Sequence, residues 1–154
     1  MEKQDDWLEK IEREIKDSSK GFTEKQRKRY KADRLIRIGR YLAEFSHQCE
    51  QCGHFKELFE QCVGGLAALS GADKKERKPY FKNLKAIIKH LQKAHRMVEK
   101  GQNAELWTAV GVAMGVAVGS GSGNMGLGIV LGIALGFSIG TMLDSKAQKE
   151  GRVI

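Results

Sequence analysis

The sequence lacks most of the features that mark secreted, disulfide-stabilised or β-sheet proteins. Its first segment, MEKQDDWLEKIEREIKD, is charged throughout and has no apolar run, so it does not match a secretory signal. We therefore expect the N-terminal region to lie in the cytosol. Only three cysteines occur among the 154 residues. In a reducing compartment so few cysteines indicate metal binding or free thiols, and they argue against a disulfide framework.

Charge is also absent from one long part of the chain. Residues 106–143 contain no charged residue, whereas residues 1–104 contain 24 of the 27 Lys and Arg and 16 of the 19 Asp and Glu. The net charge of residues 1–104 is therefore +8, the same as that of the whole chain. The contrast predicts a basic helical cytoplasmic domain over 1–104, a transmembrane hairpin over 105–144 and a short basic cytoplasmic tail over 145–154.

The charged region shows no alternating pattern that would indicate a strand, and it is predicted to be all-α with about four helices. Thr23 and Gln26 form a capping-box pattern at the start of the second helix, and Pro79 fits the first turn of the fourth. The helices are expected at about 5–17, from Thr23 to about 47, at about 54–69, and from about Pro79 to 97. Their apolar faces predict a small core of Trp7, Leu8, Ile11, Ile15, Tyr30, Ile38, Tyr41, Leu42, Phe45, Phe55, Leu58, Phe59, Cys62, Leu66, Phe81, Leu84, Ile87, Ile88, Leu91 and Met97.

A core of this size gives only marginal stability, and the sequence contains residues that could bind a stabilising metal ion. Cys49-x-x-Cys52 precedes Gly53, which would permit a tight turn, and His90 is followed by His95 with four residues between them. Two such pairs have the ligand spacing of structural zinc sites and resemble a two-cysteine, two-histidine zinc finger. The gap of 37 residues between the pairs is much longer than in that finger, because it contains a whole predicted helix. The ligand set therefore resembles the finger, whereas the fold need not.

An antiparallel hairpin of the third and fourth helices would bring the two pairs together. A five-residue step rotates a regular helix by about 140°, so His90 and His95 can share an ion only if that turn loosens or the ion lies between their faces. Other ligands stay open: His47, His54 or Cys62 could replace one of the four. Cys62 lies on an apolar face and fits better as a small core residue. Some of these residues could also be ordinary core or surface residues.

No pattern in the sequence indicates an enzyme. Arg40 and His47 have an Arg-x6-His spacing that resembles the RNA-cleaving motif of certain helical nucleases, but two common residue types at a loose spacing also occur by chance. No nucleophile–base pair or carboxylate constellation accompanies them. The basic run EKQRKRYKADRLIRIGR, residues 24–40, could bind nucleic acid or anionic headgroups, or form a solvated helix face. We favour headgroups because the C-terminal region has the composition of a membrane segment.

Between Glu105 and Asp144 lie 38 uncharged residues, enough to cross a bilayer twice when divided by the turn sequence GSGSGN. The predicted arms cover 106–121 and 124–143, with Trp107 placed as an interfacial aromatic. Both flanks are basic, so the positive-inside rule places both ends in the cytoplasm. The span has no acid, base or histidine, which argues against a proton-coupled transporter. The alternative is a soluble, glycine-rich core hairpin.

Small residues recur every fourth position in both arms and predict close helix packing. The first arm also has a second small face, about 200° around the helix from its glycines, and the second arm has a partial equivalent. A helix with small residues on both sides fits between two neighbours, which predicts a homo-oligomer, most simply a closed ring. The glycine faces are Gly111, Gly115, Gly119 and Gly128, Gly132, Gly136, Gly140. The second faces are Ala109, Ala113, Ala117 and Gly126, Ala134, Ser138.

The segment GVAMGVAVGSGSGNMGLGIVLGIALGFSIGTMLDSKAQKEGR resembles the glycine-zipper family of bacterial membrane proteins. The resemblance implies membrane insertion and self-association, and such zippers occur in channels, pore-formers and inert anchors. A channel or pore organised by the zinc domain is therefore one expected function, with Thr108, Ser120, Ser138 and Thr141 as weakly polar lining residues. The other is a membrane-anchored module whose basic zinc domain binds nucleic acid, anionic lipid or a protein.

Overall fold

The structure, a computed structural model, describes residues 2–154, with side chains described from Asp6 onward. Within this part of the chain every regular element is helical, which confirms the predicted all-α fold. Val98 and Val153 form an isolated bridge outside any strand. The helices are α1 Glu2–Ser19, α2 Glu24–Tyr30, α3 Ala32–Phe45, α4 Glu50–Gly64, α5 Lys74–His95, α6 Gln102–Gly121 and α7 Met125–Lys149, with a short 3-10 turn at Ala67–Ser70.

The predicted second helix is divided into α2 and α3. Thr23 and Gln26 form the expected capping box, in which the Gln26 amide donates to the Thr23 hydroxyl and the Thr23 amide donates to the Gln26 side chain. Immediately after α2, Lys31 has a left-handed backbone with φ 56°. The buried residues Tyr30 and Ile38 lie on opposite sides of this break. The apolar pattern continues across it, so the pattern alone predicts one helix.

The fourth helix begins earlier than predicted. Asp73 caps α5, because its carboxylate accepts the amides of Lys75 and Glu76 at 2.7 and 2.8 Å, and the Asp73 amide donates to Glu76. The prediction that Pro79 lies in the first turn is therefore wrong, since Pro79 lies inside the helix. The third predicted helix also differs: α4 begins at Glu50, and the residues after Gly65 form the 3-10 turn.

The contacts divide the chain into two compact units, one reaching to Ala94 and one covering His95–Ile154. The first unit is built on large buried side chains. Tyr30 joins three elements, since its hydroxyl donates to the Leu69 carbonyl at 2.7 Å and its carbonyl accepts the Tyr80 hydroxyl at 2.7 Å. Gly39 of α3 lets Phe59 approach, because a Cβ there would lie 3.1 Å from the Phe59 ring. The most deeply buried side chains of this unit include Ile11, Ile15, Leu35, Ile38, Leu42, Phe59, Leu66, Leu84, Ile87 and Leu91.

The second unit is the hairpin of α6 and α7 with its flanking segments. Gly123, with φ 75°, makes the turn, and the Asn124 side chain caps α7 by accepting the Leu127 amide. Both helices extend beyond the predicted arms, to Gln102 at one end and Lys149 at the other. After α7 the chain turns, and Val98 exchanges backbone hydrogen bonds with Arg152 and Ile154 at 2.8 and 3.0 Å.

Candidate metal centre and apolar hairpin

The first turn of α4 and the last turns of α5 bring together Cys49, Cys52, His90 and His95. The ligand atoms of these four side chains all lie within 4.8 Å of one another. They are the four residues that the sequence pattern selected. Among the described residues, this is the group of His, Cys and carboxylate side chains that is positioned to hold a metal ion.

The two cysteines reach the same point because of how α4 begins. Cys49 is the N-cap residue in an extended conformation, and Cys52 lies in the first turn, with its amide donating to the Cys49 carbonyl at 3.0 Å. The positive end of a helix dipole stabilises thiolates at this position. Gly53, which the sequence suggested as a turn residue, is helical, and a Cβ there would meet nothing within 4 Å. The helix start, not the glycine, therefore orients the thiols.

His90 lies against both thiols. Its Nε2 atom is 3.4 Å from Cys49 Sγ and 3.2 Å from Cys52 Sγ, and the Phe55 ring packs beside it at 5.0 Å between centroids. His95 is the last residue of the same continuous helix, so its position relative to His90 is set by α5 itself. The next residue, Arg96, takes φ 53°. Both imidazoles therefore belong to the helix, and their ligand atoms lie within 4.8 Å of each other, which fits an ion placed between their two faces.

The surroundings of Cys52 and His95 disfavour charge on these two side chains, and at Cys52 burial outweighs the effect of the helix dipole. Burial, and then the neighbouring Cys49 thiol, raise the pKa of Cys52 from 9.0 to about 12. Burial lowers the pKa of His95 below its ordinary 6.5. Without a cation, Cys52 is therefore a neutral thiol and His95 a neutral imidazole near pH 7. A bound divalent cation would stabilise the thiolates, so binding would release protons.

The donor set and its spacing fit a tetrahedral ion. Bond lengths of about 2.3 Å for Zn–S and 2.0–2.1 Å for Zn–N place the ligand atoms of such a site about 3.3–3.8 Å apart. The two S···N distances, 3.2 and 3.4 Å, are close to that range. The other pairs of ligand atoms lie within 4.8 Å of each other, so small side-chain rotations would bring them to the spacing of a zinc site. Two thiolates and two imidazoles would close the coordination shell and leave no position for a substrate.

The other candidates named from sequence lie outside this group. His47 is exposed in the turn after α3, and His54 is exposed on α4. Cys62 is 3% exposed, and burial raises its pKa to about 11. It is therefore a small residue of the apolar core. Arg40 forms an ion pair with Glu12 at 3.2 Å.

In the hairpin the two glycine faces meet backbone to backbone. A Cβ at Gly128 would lie 2.7 Å from the Gly119 Cα atom, and one at Gly140 would lie 2.5 Å from the Ala104 Cα atom. Each of the seven predicted packing glycines would meet backbone atoms of the opposite helix closer than a real Cβ allows. They are Gly111, Gly115, Gly119, Gly128, Gly132, Gly136 and Gly140. Any residue other than glycine would keep the two helix backbones farther apart. The interface therefore depends on glycines that recur every fourth position.

The second small faces have no neighbour within the described part of the chain. Ala109, Ala113 and Ala117 are exposed, as are Gly126, Ala134 and Ser138. Large apolar side chains point outward beside them, including Met114, Val118, Leu131, Leu135, Phe137 and Met142. Both helices are long and apolar enough to cross a membrane, and only 17% and 11% of their apolar windows are buried. A core helix of a soluble protein would be mostly buried.

Polar groups of the hairpin are satisfied locally. The hydroxyls of Thr108, Ser120 and Ser138 donate to carbonyls of their own helices at 2.6–2.7 Å. At the open end, Asp144 accepts the amides of Asn103 and Ala104 at 3.2 and 3.0 Å. This carboxylate caps the positive end of α6, a role that the sequence did not reveal because it joins residues about forty positions apart.

Comparison of the chain with protein-family models, with curated proteins and with solved structures finds no match. The likeness to glycine-zipper proteins therefore rests on the sequence motif alone, and function has to be inferred from the site and the hairpin.

Proposed function

We propose that the protein is an integral membrane protein that self-associates through α6 and α7, forms a pore, and carries a structural zinc centre in its cytoplasmic domain. One observation carries the proposal. The glycine faces of α6 and α7 pack against each other, whereas a second small-residue face and large apolar side chains remain exposed. Lipid accommodates the large side chains. A second copy of the chain accommodates the small ones, because small residues four apart permit close helix contact in lipid.

Zinc is the ion that we propose for the four-residue centre. Two thiolates and two imidazoles in a closed tetrahedron are the usual ligands of structural zinc. Purified protein should contain about one equivalent of zinc. Cys52→Ser should lose it, and Cys62→Ser, which changes the same residue type outside the centre, should retain it. Equal zinc content in the two variants would disprove the assignment.

Self-association is best tested on the outer face. Gly115 is buried within the hairpin, so a substitution there first disrupts the chain's own packing. Ala113 lies on the exposed face of α6. We expect Ala113→Leu to dissociate the assembly while the hairpin still forms, measured by mass determination in detergent. Leu135→Ile, a volume-conserving change on the lipid face, is the control. A strictly monomeric unmodified protein would contradict the proposal.

The proposed pore would be lined by hydroxyl-bearing residues of the hairpin. Thr108, Ser120, Ser138 and Thr141 are the candidate lining residues, and their hydroxyls already bond to the backbone, so the lining would be weakly polar. Such a lining favours gating by dewetting. Flux of ions or dye from liposomes containing the purified protein tests conduction, with the Ala113→Leu protein as control. Assembly without flux would reduce the hairpin to an oligomeric anchor.

The positive-inside rule supports a cytoplasmic location for both ends, since basic residues flank the hairpin on both sides and its turn has none. A second candidate function is a membrane-anchored binding module. It is favoured by the charge of the first region, which equals the whole net charge of +8. A monomeric hairpin combined with tight, salt-sensitive binding of nucleic acid by the full chain would select this alternative.

A further inference from the structure

Helix α5 carries a continuous row of lysines along one face. The residues succeed one another at intervals of three or four positions, the spacing that places side chains on the same side of a helix. All six are exposed, and the opposite face buries Leu84, Ile87 and Leu91. The row spans eighteen positions, or about 27 Å at 1.5 Å per residue. We call it the lysine stripe: Lys75, Lys78, Lys82, Lys85, Lys89 and Lys93.

The stripe is not neutralised by any side chain in the part of the protein that the structure describes. None of its lysines forms an ion pair with the residues that the structure describes. The one acid of α5, Glu76, bonds to the amide of Asp73 in the helix cap. On α1 and α2, by contrast, several exposed cations are paired: Arg13 with Glu9, Lys20 with Asp17, and Lys28 with Glu24.

Leaving the stripe unpaired has a cost. Like charges three or four positions apart repel each other and destabilise a helix. The stripe contains five such neighbours in sequence, from Lys75 to Lys93. An anionic partner outside the chain would remove this repulsion and would add attraction.

Further cations widen the stripe at its N-terminal half. A groove beside α5 is lined by Arg29, Lys74 and Arg77 together with four lysines of the stripe, and Asp73 is its one acidic member. The aromatic member, Phe81, is half-buried and packs against Tyr80 and Tyr30 at 5.2 and 6.3 Å between centroids. It is therefore engaged in the core and does not offer a free face on which a base could stack.

We propose that the lysine stripe binds the anionic phospholipid headgroups of the membrane into which the hairpin inserts. Lysines are compact point charges that suit a diffuse layer of phosphates, whereas base-reading sites use arginine forks and exposed aromatics. Only six residues, 96–101, separate α5 from α6. Each lysine near an anionic leaflet contributes about 1 kcal/mol. The proposal rests on the proposed membrane insertion.

Lysine labelling of the full chain in liposomes tests this. A water-soluble amine reagent is applied to protein in zwitterionic vesicles and in vesicles with added phosphatidylserine, and each lysine is read by mass spectrometry. Stripe lysines should label about fivefold more slowly on the anionic vesicles, the factor equivalent to 1 kcal/mol per lysine, and high salt should remove the difference. Lys10 and Lys16, exposed on α1, are internal controls and should label equally on both.

A matched pair of variants sharpens the test. Lys78→Gln/Lys82→Gln/Lys85→Gln should weaken the protection of Lys89 severalfold, whereas Lys10→Gln/Lys16→Gln/Lys20→Gln removes the same charge and should leave it unchanged. Equal labelling on the two kinds of vesicle would overturn the headgroup proposal. So would protection by added DNA in zwitterionic vesicles without any effect of the anionic lipid.

Membrane insertion is measured on the same vesicles by extraction at high pH. If the protein resists extraction but its stripe lysines show no lipid-dependent protection, headgroup binding by the stripe is refuted. The proposed function is then unaffected. Protein that is extracted refutes insertion, and the stripe proposal falls with it.

Discussion

The two units of this chain pack by different means. In the first, large side chains such as Phe59 and Leu42 are wholly buried and residues of opposite charge pair on the surface. In the hairpin the buried residues are chiefly glycines, and the large side chains lie outside. The difference is the one expected if the first unit is adapted to water and the hairpin, as we propose, to lipid. Water drives large apolar groups inward, whereas in lipid only close backbone contact and hydrogen bonding hold helices together.

The contrast also decides which residues should matter. The stability of the first unit should depend on large side chains that fill its buried positions. The stability of the hairpin should depend on the lack of side chains at its glycine face. Trp7 lies in α1 and Trp107 in α6, so single-tryptophan variants can report on each unit separately.

The largest effect is expected at the glycine face. A Cβ at Gly132 would lie 2.9 Å from the Gly111 carbonyl carbon and 3.1 Å from the Gly115 Cα atom, and these are backbone atoms that cannot turn aside. Gly132→Leu should therefore prevent the packed hairpin, beyond the roughly 1–3 kcal/mol of ordinary overpacking. The measurement is the SDS concentration that unfolds the Trp7→Phe protein in mild detergent, monitored by Trp107 fluorescence.

The control is Gly121→Leu, the same change at the end of α6, where a Cβ would meet nothing within 4 Å and which belongs to neither small-residue face. It should leave the SDS midpoint nearly unchanged. If the two variants unfold at the same SDS concentration, the close approach of the helices is not what stabilises the hairpin.

A smaller effect should separate two chemically identical changes. Leu42→Ala empties a position that is 0% exposed and should destabilise the first unit by about 2–5 kcal/mol. Leu135→Ala, at a position 65% exposed on α7, should change stability by less than about 0.5 kcal/mol in detergent. Denaturant unfolding monitored by Trp7 for the first variant and by Trp107 for the second gives both values. Comparable losses would mean that the outward face of α7 is covered within the chain.

Local sequence signals predicted most of the fold. The capping box at Thr23 and the charge-free span determined helix starts and the hairpin, because both depend on residues close in sequence. The break at Lys31 was not predictable, since no glycine or proline marks it and the apolar pattern stays in phase. At the start of α5 two local signals compete: Asp73 and Glu76 have the capping-box spacing, whereas Pro79 favours a later start. The structure shows that the cap prevails.

The four metal ligands were selected by spacing, but their convergence depends on how α4 begins and where α5 ends. The stripes of small residues were also visible. The sequence did not show which of the two small faces of each helix packs against the other arm. Spacing identifies the faces, but only the geometry of the hairpin decides which of them meet. The role of Asp144 depends on contacts distant in sequence, which no local pattern contains. The sequence likewise does not show that the lysine stripe lacks ion pairs with the residues that the structure describes, because acids from any other helix could have faced it.

The smallest effect should appear on raising the pH. Cys62 loses its proton at an ordinary pKa of 9.0 when unfolded, but burial raises its folded pKa to about 11, so its contribution is full below pH 9 and is lost as the pH approaches 11. That interval corresponds to roughly 2–3 kcal/mol at most. Burial also raises the pKa of Tyr80 in the same core, which adds to the loss. The hairpin has no such group between Leu106 and Leu143.

Denaturant unfolding from pH 8 to 10.5 should therefore show a falling midpoint with Trp7 and a constant SDS midpoint with Trp107. Cys62→Ala should lower the stability at pH 8, because it leaves a small cavity, and should make the alkaline decline shallower, because one thiol no longer titrates. A decline of equal slope in the variant would remove Cys62 as the cause. An alkaline loss of hairpin packing would contradict the view that this unit is held by backbone contact alone.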